Sequence, residues 1–157
     1  MRRLTFVLAI VLIMLATSRV ARADVTAFVG TSTNPANRPL VGFSGGFGLI
    51  IVGFEIEYAH TSEDELEMVP ALHTVSGNLL LQTPTRVQVY FTTGGGVYRE
   101  RLGNQQETNL AVNTGGGVKL PLAGPLKFRI DYRVFKLKGS PLYSKTQRFY
   151  AGLNIAF

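Results

Sequence analysis

Two stretches of the chain alternate charged with apolar residues, and their net charges are of opposite sign. In "VGFEIEYA", Glu55 and Glu57 alternate with Phe54, Ile56 and Tyr58. In "LKFRIDYRV", Lys127, Arg129, Asp131 and Arg133 alternate with Phe128, Ile130, Tyr132 and Val134. Period-two alternation places each charged set on one face of a strand. Facing one another across an enclosed space, these groups have two uses. They can line a path for ions, or they can pair and neutralise one another, because a buried unpaired charge is costly. A narrow interior that side chains fill favours pairing.

Nucleophilic chemistry has one candidate. His60-Thr61-Ser62 is followed by acids at Glu63, Asp64, Glu65 and Glu67, the residue types of a Ser–His–acid hydrolase. All are common residues at the edge of a polar stretch, so a plain loop is the stronger reading. The acidic run lacks the Asp/Asn/Gly spacing of a calcium loop and reads as a solvated face. His60 and His73, with no cysteine in the chain, make a weak transition-metal case. No metal and no cofactor is expected.

The triplets Gly94, Gly95, Gly96 and Gly115, Gly116, Gly117 recur 21 residues apart in "FTTGGGVYRERLGNQQETNLAVNTGGGVKL". Neither has the Lys-Ser/Thr or G-x-G-x-x-G spacing of a phosphate loop. If they lie on one hairpin centred between Gln105 and Gln106, Gly95 faces Gly116. Paired glycines would let a wall curve sharply and leave space for large inward residues such as Tyr90 and Tyr150.

The elements that must position these residues are strands. No stretch after residue 23 carries a convincing 3.6-residue apolar stripe, whereas period-two alternation recurs to the last residue in "QRFYAGLNIAF". Eight strands are expected: about Val25–Thr31, Leu40–Leu49, Val52–Thr61, Val69–Gln82, Arg86–Arg101, Thr108–Leu120, Leu126–Leu137 and Thr146–Phe157. Long polar connections ("STNPANRP", "SEDELEM", "LGNQQE", "KGSPLYSK") alternate with short ones ("II", "TPT", "PLAGP"). That is the layout of an antiparallel transmembrane β-barrel. Leu49-Ile50-Ile51-Val52 is its weakest junction, having no turn residue of its own. A soluble barrel would bury the apolar face and a membrane barrel the polar one, and periodicity alone does not choose between them.

A secretory signal at the chain's beginning, the terminal Phe157, the lack of cysteine and the alternation of long and short connections together favour the membrane barrel. Met1-Arg2-Arg3, the apolar run Leu4 to Ala16 and Ala21-Arg22-Ala23 follow the plan of a secretory signal. Cleavage is expected between Ala23 and Asp24, giving a signal peptide at 1–23 and a barrel domain at 24–157. Its removal takes four arginines from the 16 Lys+Arg, leaving 12 against 10 Asp+Glu, so the net charge falls from +6 to +2. Nucleic-acid binding then has no support.

On these residues the chain resembles the small eight-stranded outer-membrane β-barrel proteins of Gram-negative bacteria, over nearly all of Asp24–Phe157. Tyr150-x-Gly152-x-x-Ile155-x-Phe157 is similar to the terminal-strand signal read by the barrel-assembly machinery, and "TGGGVKLPLAGPLKFRIDYRVF" resembles a block typical of these proteins. The resemblance implies an all-β, up-and-down barrel in the outer membrane, amid its lipids and lipopolysaccharide. It implies no single activity, since such barrels include adhesins, anchors, channels and lipid-modifying enzymes. His60-Thr61-Ser62 resembles part of the His-x-Ser stretch of lipid A deacylases, with Glu63 where that family has asparagine. The expectation is a non-enzymatic structural or surface-interaction barrel with a lumen plugged by charge. The alternatives are a small channel for ions or apolar solutes and, less favoured, a lipid A hydrolase.

Overall fold

The structure, a computed structural model, describes residues 22–34, 36–63 and 68–157. The signal segment up to residue 21, and Asp64, Glu65 and Glu67 of the acidic run, lie outside the described residues. Eight strands follow one another: β1 Arg22–Thr33, β2 Arg38–Leu49, β3 Val52–Thr61, β4 Ala71–Gln82, β5 Gln88–Leu102, β6 Gln105–Ala123, β7 Leu126–Leu137 and β8 Lys145–Ala156. Each pairs antiparallel with its neighbours in sequence, and β1 pairs with β8 to close the barrel. Closure leaves no free edge in the wall.

Side-chain orientation separates membrane barrel from soluble barrel. On β7, Arg129, Asp131 and Arg133 are wholly buried inside, while Tyr132 is 45% exposed on the outer face. Elsewhere the outer face carries Val29, Phe43, Ile56, Phe91 and Leu110, and the inner face carries Thr26, Ser44, Glu57 and Thr92. Across the middle of the wall the apolar face thus points outward and the polar face inward. This arrangement suits hydrocarbon outside and would be unstable in water.

At the end where Ala23 meets Phe157, two turns are tight, while residues 83–87 join β4 to β5. Leu49 pairs with Val52, so Ile50 and Ile51 form a two-residue turn without a turn-specific residue. The backbone there is anchored by the N–H of Gln82, which donates to the Ile51 carbonyl. Ala123 pairs with Leu126 around Gly124, whose φ of 54° is the left-handed conformation glycine tolerates.

At the opposite end, which we call the outer end, one connection departs from expectation. "LGNQQE" is not a long loop. Leu102 pairs with Gln105, leaving the two-residue turn Gly103–Asn104, with Gly103 at φ 55°. β5 and β6 therefore run to 15 and 19 residues. Three longer connections remain at this end, and the fourth is a tight hairpin.

Moving the turn moves the glycines. Gly95 pairs with Val112 and Gly116 with Phe91, so the expected Gly95–Gly116 juxtaposition is wrong. Gly95 instead meets Gly77 on β4. The inward-facing glycines make room for individual side chains. A Cβ on Gly117 would strike the Tyr90 ring, and one on Gly115 would lie 2.9 Å from Cγ of Arg133. The room for Tyr150 comes from Gly30, where a Cβ would lie 2.5 Å from its Cβ.

Candidate functional site

The alternation of β3 and β7 sends Glu55, Glu57, Arg129, Asp131 and Arg133 into the lumen from opposite walls. Arg129 donates through Nη1 to Glu55 Oε2 and through Nη2 to Asp131 Oδ2 at 2.7 Å. Arg133 Nη2 donates to Glu55 Oε1 at 2.7 Å, and its Nε to Asp131 Oδ1 at 3.1 Å. Arg133 Nη1 is 3.1 Å from Glu57 Oε2. All five side chains are buried, so each charge depends on these partners rather than on solvent. Planar guanidinium groups suit this task because one fork serves several carboxylates at once.

Lys127 belongs elsewhere. Its Nζ donates to Gln88 Oε1 at 2.7 Å, nearer the end that carries Phe157. It shares the inward face of β7, but Arg129 stands between it and the glutamates. Close by, Lys119 pairs with Asp24.

Tyr90 and Tyr150 were expected as large inward residues but not as members of the network, and Ser44, Thr26, Asn154 and Arg148 were not singled out from sequence. Tyr90 accepts from Arg129 Nε at 2.7 Å and donates to Asp131. Tyr150 donates to Glu57 Oε2 at 2.7 Å, Ser44 to Glu55 Oε2 at 3.0 Å, and Asn154 to Thr26 at 2.8 Å. Arg148 is wholly buried, donates from Nη1 to Thr74 at 2.8 Å, and lies 4.2 Å from the centroid of the Phe135 ring. The alternation of β8 already put Arg148 and Tyr150 on the inner face. What it lacked was their height in the barrel.

Toward the outer end the lumen turns apolar. Leu72, Tyr98, Ala111, Phe135 and Leu137 pack as one cluster, and Phe28, Leu40, Ala59 and Tyr150 as another. Above them the 138–144 connection is drawn across the mouth. Tyr98 donates to the Lys138 carbonyl at 2.7 Å, and the N–H groups of Ser140 and Leu142 donate to Glu107 and Glu100 at 2.9 and 3.3 Å.

His60 sits on the outer wall. Its ring stacks on His73 of the adjacent strand at 4.3 Å, and His73 Nδ1 is 3.0 Å from the Tyr58 hydroxyl. The carboxylate of Glu63 accepts from the Gly103 N–H at 2.9 Å and lies 4.0 Å from Arg101. On the terminal strand, Tyr150 and Gly152 face inward, whereas Ile155 and Phe157 are exposed on the outside.

No protein-family model and no curated protein sequence matches the chain. Solved structures do match. Neisserial surface protein A aligns at 16% identity with a TM-score of 0.67, over 87% of this chain and 96% of its own. A major outer membrane protein from Thermus thermophilus aligns at 10% identity and 0.65, over 87% and 99%. The outer membrane enzyme PagL aligns at 12% and 0.57, over 84% and 98%. The chain thus has the fold of the small eight-stranded outer-membrane β-barrels. A surface protein and an enzyme share that fold, so the fold leaves the activity open.

Proposed function

We propose that the protein is a closed barrel of the outer membrane, without enzymatic activity, which serves as a structural and surface-interaction element. In this reading its lumen is plugged, and its contacts are made by the connections at the outer end. The observation that carries the proposal is the pairing of Arg129 and Arg133 with Glu55, Glu57 and Asp131 across the lumen. The apolar clusters toward the outer end are further support, because they fill the lumen with packed side chains beside the neutralised charges. In biogenesis the barrel-assembly machinery reads the terminal strand, and outer-membrane lipids and lipopolysaccharide surround the finished wall.

Planar-bilayer recording tests the plug. The full mature chain should insert without reproducible single-channel steps, and such steps would put the channel alternative first. The non-enzymatic reading is tested by mass spectrometry of lipid A from cells with and without the protein. Loss of an acyl chain only when the protein is present would overturn it.

A further inference from the structure

The lipid-facing wall has a depression at mid-height. Gly45, Ile56, Gly77 and Gly95 form one cross-strand row on the outer face of β2 to β5. Gly45, Ile56 and Gly77 of this row, with Phe47, Phe54 and Leu79 around them, line an almost wholly apolar hollow of about 510 Å³. Backbone geometry does not require glycine at Gly77. Its φ is not positive, and a Cβ there would meet nothing within 4 Å. Nor does packing within the protein account for it, because the space a side chain would take stands open to the outside. The hollow holds room for something the chain does not supply.

Four residues up the same strands, Ile56 leads to His60, Gly77 to His73 and Gly95 to Arg99, with Arg101 beyond. At ~3.3 Å per residue this rim lies roughly 13 Å along the strands from the hollow. Arg99 and Arg101 are exposed on the outer face. Among the described residues, Glu63 is the one carboxylate not turned to the lumen or its mouth, and it lies at the 4.0 Å limit from Arg101. An apolar hollow at hydrocarbon depth beneath a cationic rim has the polarity profile of one acyl chain with an anionic headgroup.

We infer that the outer face of β3 to β5 is a binding site for a phosphorylated lipid of the outer leaflet, its phosphate held by Arg99 and Arg101 and an acyl chain seated in the glycine hollow. The inference rests on the outer-membrane reading and names one surface for the lipid partner given there. A second copy of the chain could also use a glycine surface. Two copies meeting here would bring their arginine rims together, and that repulsion favours the lipid.

The test uses the full mature chain refolded in detergent, with native mass spectrometry after addition of bisphosphorylated lipid A, neutral phosphatidylcholine or inorganic phosphate. The wild type should retain one lipid A with about a tenfold preference over the neutral lipid, equivalent to about 1.4 kcal/mol. Arg99→Gln/Arg101→Gln should abolish the preference. Gly77→Leu, whose Cβ would meet nothing within 4 Å, puts a side chain into the hollow and should reduce retention of both lipids. Lys136→Gln/Lys145→Gln removes equal charge from the rim of β7 and β8, away from the hollow, and should change nothing.

Retention that survives both the arginine and the Gly77 variants overturns the site, as does equal loss in the lysine variant. Competition by inorganic phosphate as strong as by lipid A would mean an anion site without a chain. A dimer in sedimentation that Gly77→Leu dissolves would assign the hollow to a second copy. The heat-resistant gel band, read on every variant in vesicles, separates the two levels of inference. A wild type that fails to insert overturns the membrane reading and the site together, whereas an inserted barrel that retains no lipid overturns only the site.

Discussion

Nη2 of Arg133 on β7 lies 2.7 Å from Oε1 of Glu55 on β3, four strands away around an eight-stranded wall. The contact spans the lumen and ties opposite walls together. Such a strut resists flattening of the barrel, which hydrogen bonds between neighbouring strands do not. Its strength depends on both signs being present, and this dependence can be measured.

Removing the acids should expose it. Glu55→Ala/Glu57→Ala leaves Arg129 and Arg133 buried with Asp131 as their one remaining carboxylate partner among the described residues, and loss of a partner from a buried pair typically costs about 3–5 kcal/mol. Urea unfolding of the refolded barrel should show that loss, and adding Arg129→Ala/Arg133→Ala should recover part of it. If neither variant shifts the midpoint, the interior is hydrated well enough to screen its charges. The plug would then fail.

Arg133 and Arg148, both wholly buried, should not be equivalent. Arg133 serves Glu55, Glu57 and Asp131, whereas Arg148 has one hydrogen bond, to Thr74, and the face of Phe135. Arg133→Met should lose on the order of 3–5 kcal/mol. Arg148→Met should lose about 1–3 kcal/mol, the scale of one charged hydrogen bond. Equal losses in the same urea series would show that position in the lumen matters more than partnership.

The first glycine triplet sorts by face. A Cβ at Gly96 would run into the Val75 carbonyl, whereas at Gly95 the nearest atom is the Ala111 carbonyl oxygen at 3.4 Å. Gly96→Val should abolish the heat-resistant folded form on gels, and Gly95→Val should leave most of it. Because Gly95 and Gly116 do not oppose each other, Gly95→Val and Gly116→Val should act additively. Strong coupling between them would restore the register centred on Gln105–Gln106.

Phe157 tests the terminal strand. Its side chain is 73% exposed, and its backbone exchanges two hydrogen bonds with Ala23. Phe157→Ala should therefore reduce membrane insertion in cells with little effect on the stability of barrel already refolded. Normal fractionation of the variant would remove the terminal residue from the recognition signal.

How much is legible in the sequence follows from where hydrocarbon imposes alternation. β3 and β7 lie where one face meets lipid and the other the lumen, and their limits, Val52–Thr61 and Leu126–Leu137, coincide with the alternating runs. Gln105 to Asn109 lies beyond the apolar belt. There both faces of a strand are polar, so a ladder and a loop have the same composition, and the one residue-type signal for the hairpin and its register is the turn pair Gly103-Asn104. The pairing of Arg129 and Arg133 with the glutamates is accessible because opposite strands are fixed by the strand count. Lys127 escapes the same reasoning because alternation gives the face but not the height, which depends on how far each strand is staggered against the next.

The seam between β1 and β8 joins residues from the two ends of the barrel domain, from Thr33 with Gln147, 114 positions apart, to Asp24 with Ala156, 132 apart. Until the last strand arrives, every partial product is a curved sheet with two live edges, and β1 holds its outer edge open throughout. Closure is therefore the final event in the life of a nascent molecule, set by topology rather than by rate. Any premature stop yields a template for pairing with foreign strands, and a cell making this protein must keep the edge of β1 guarded from export until the final residue is delivered.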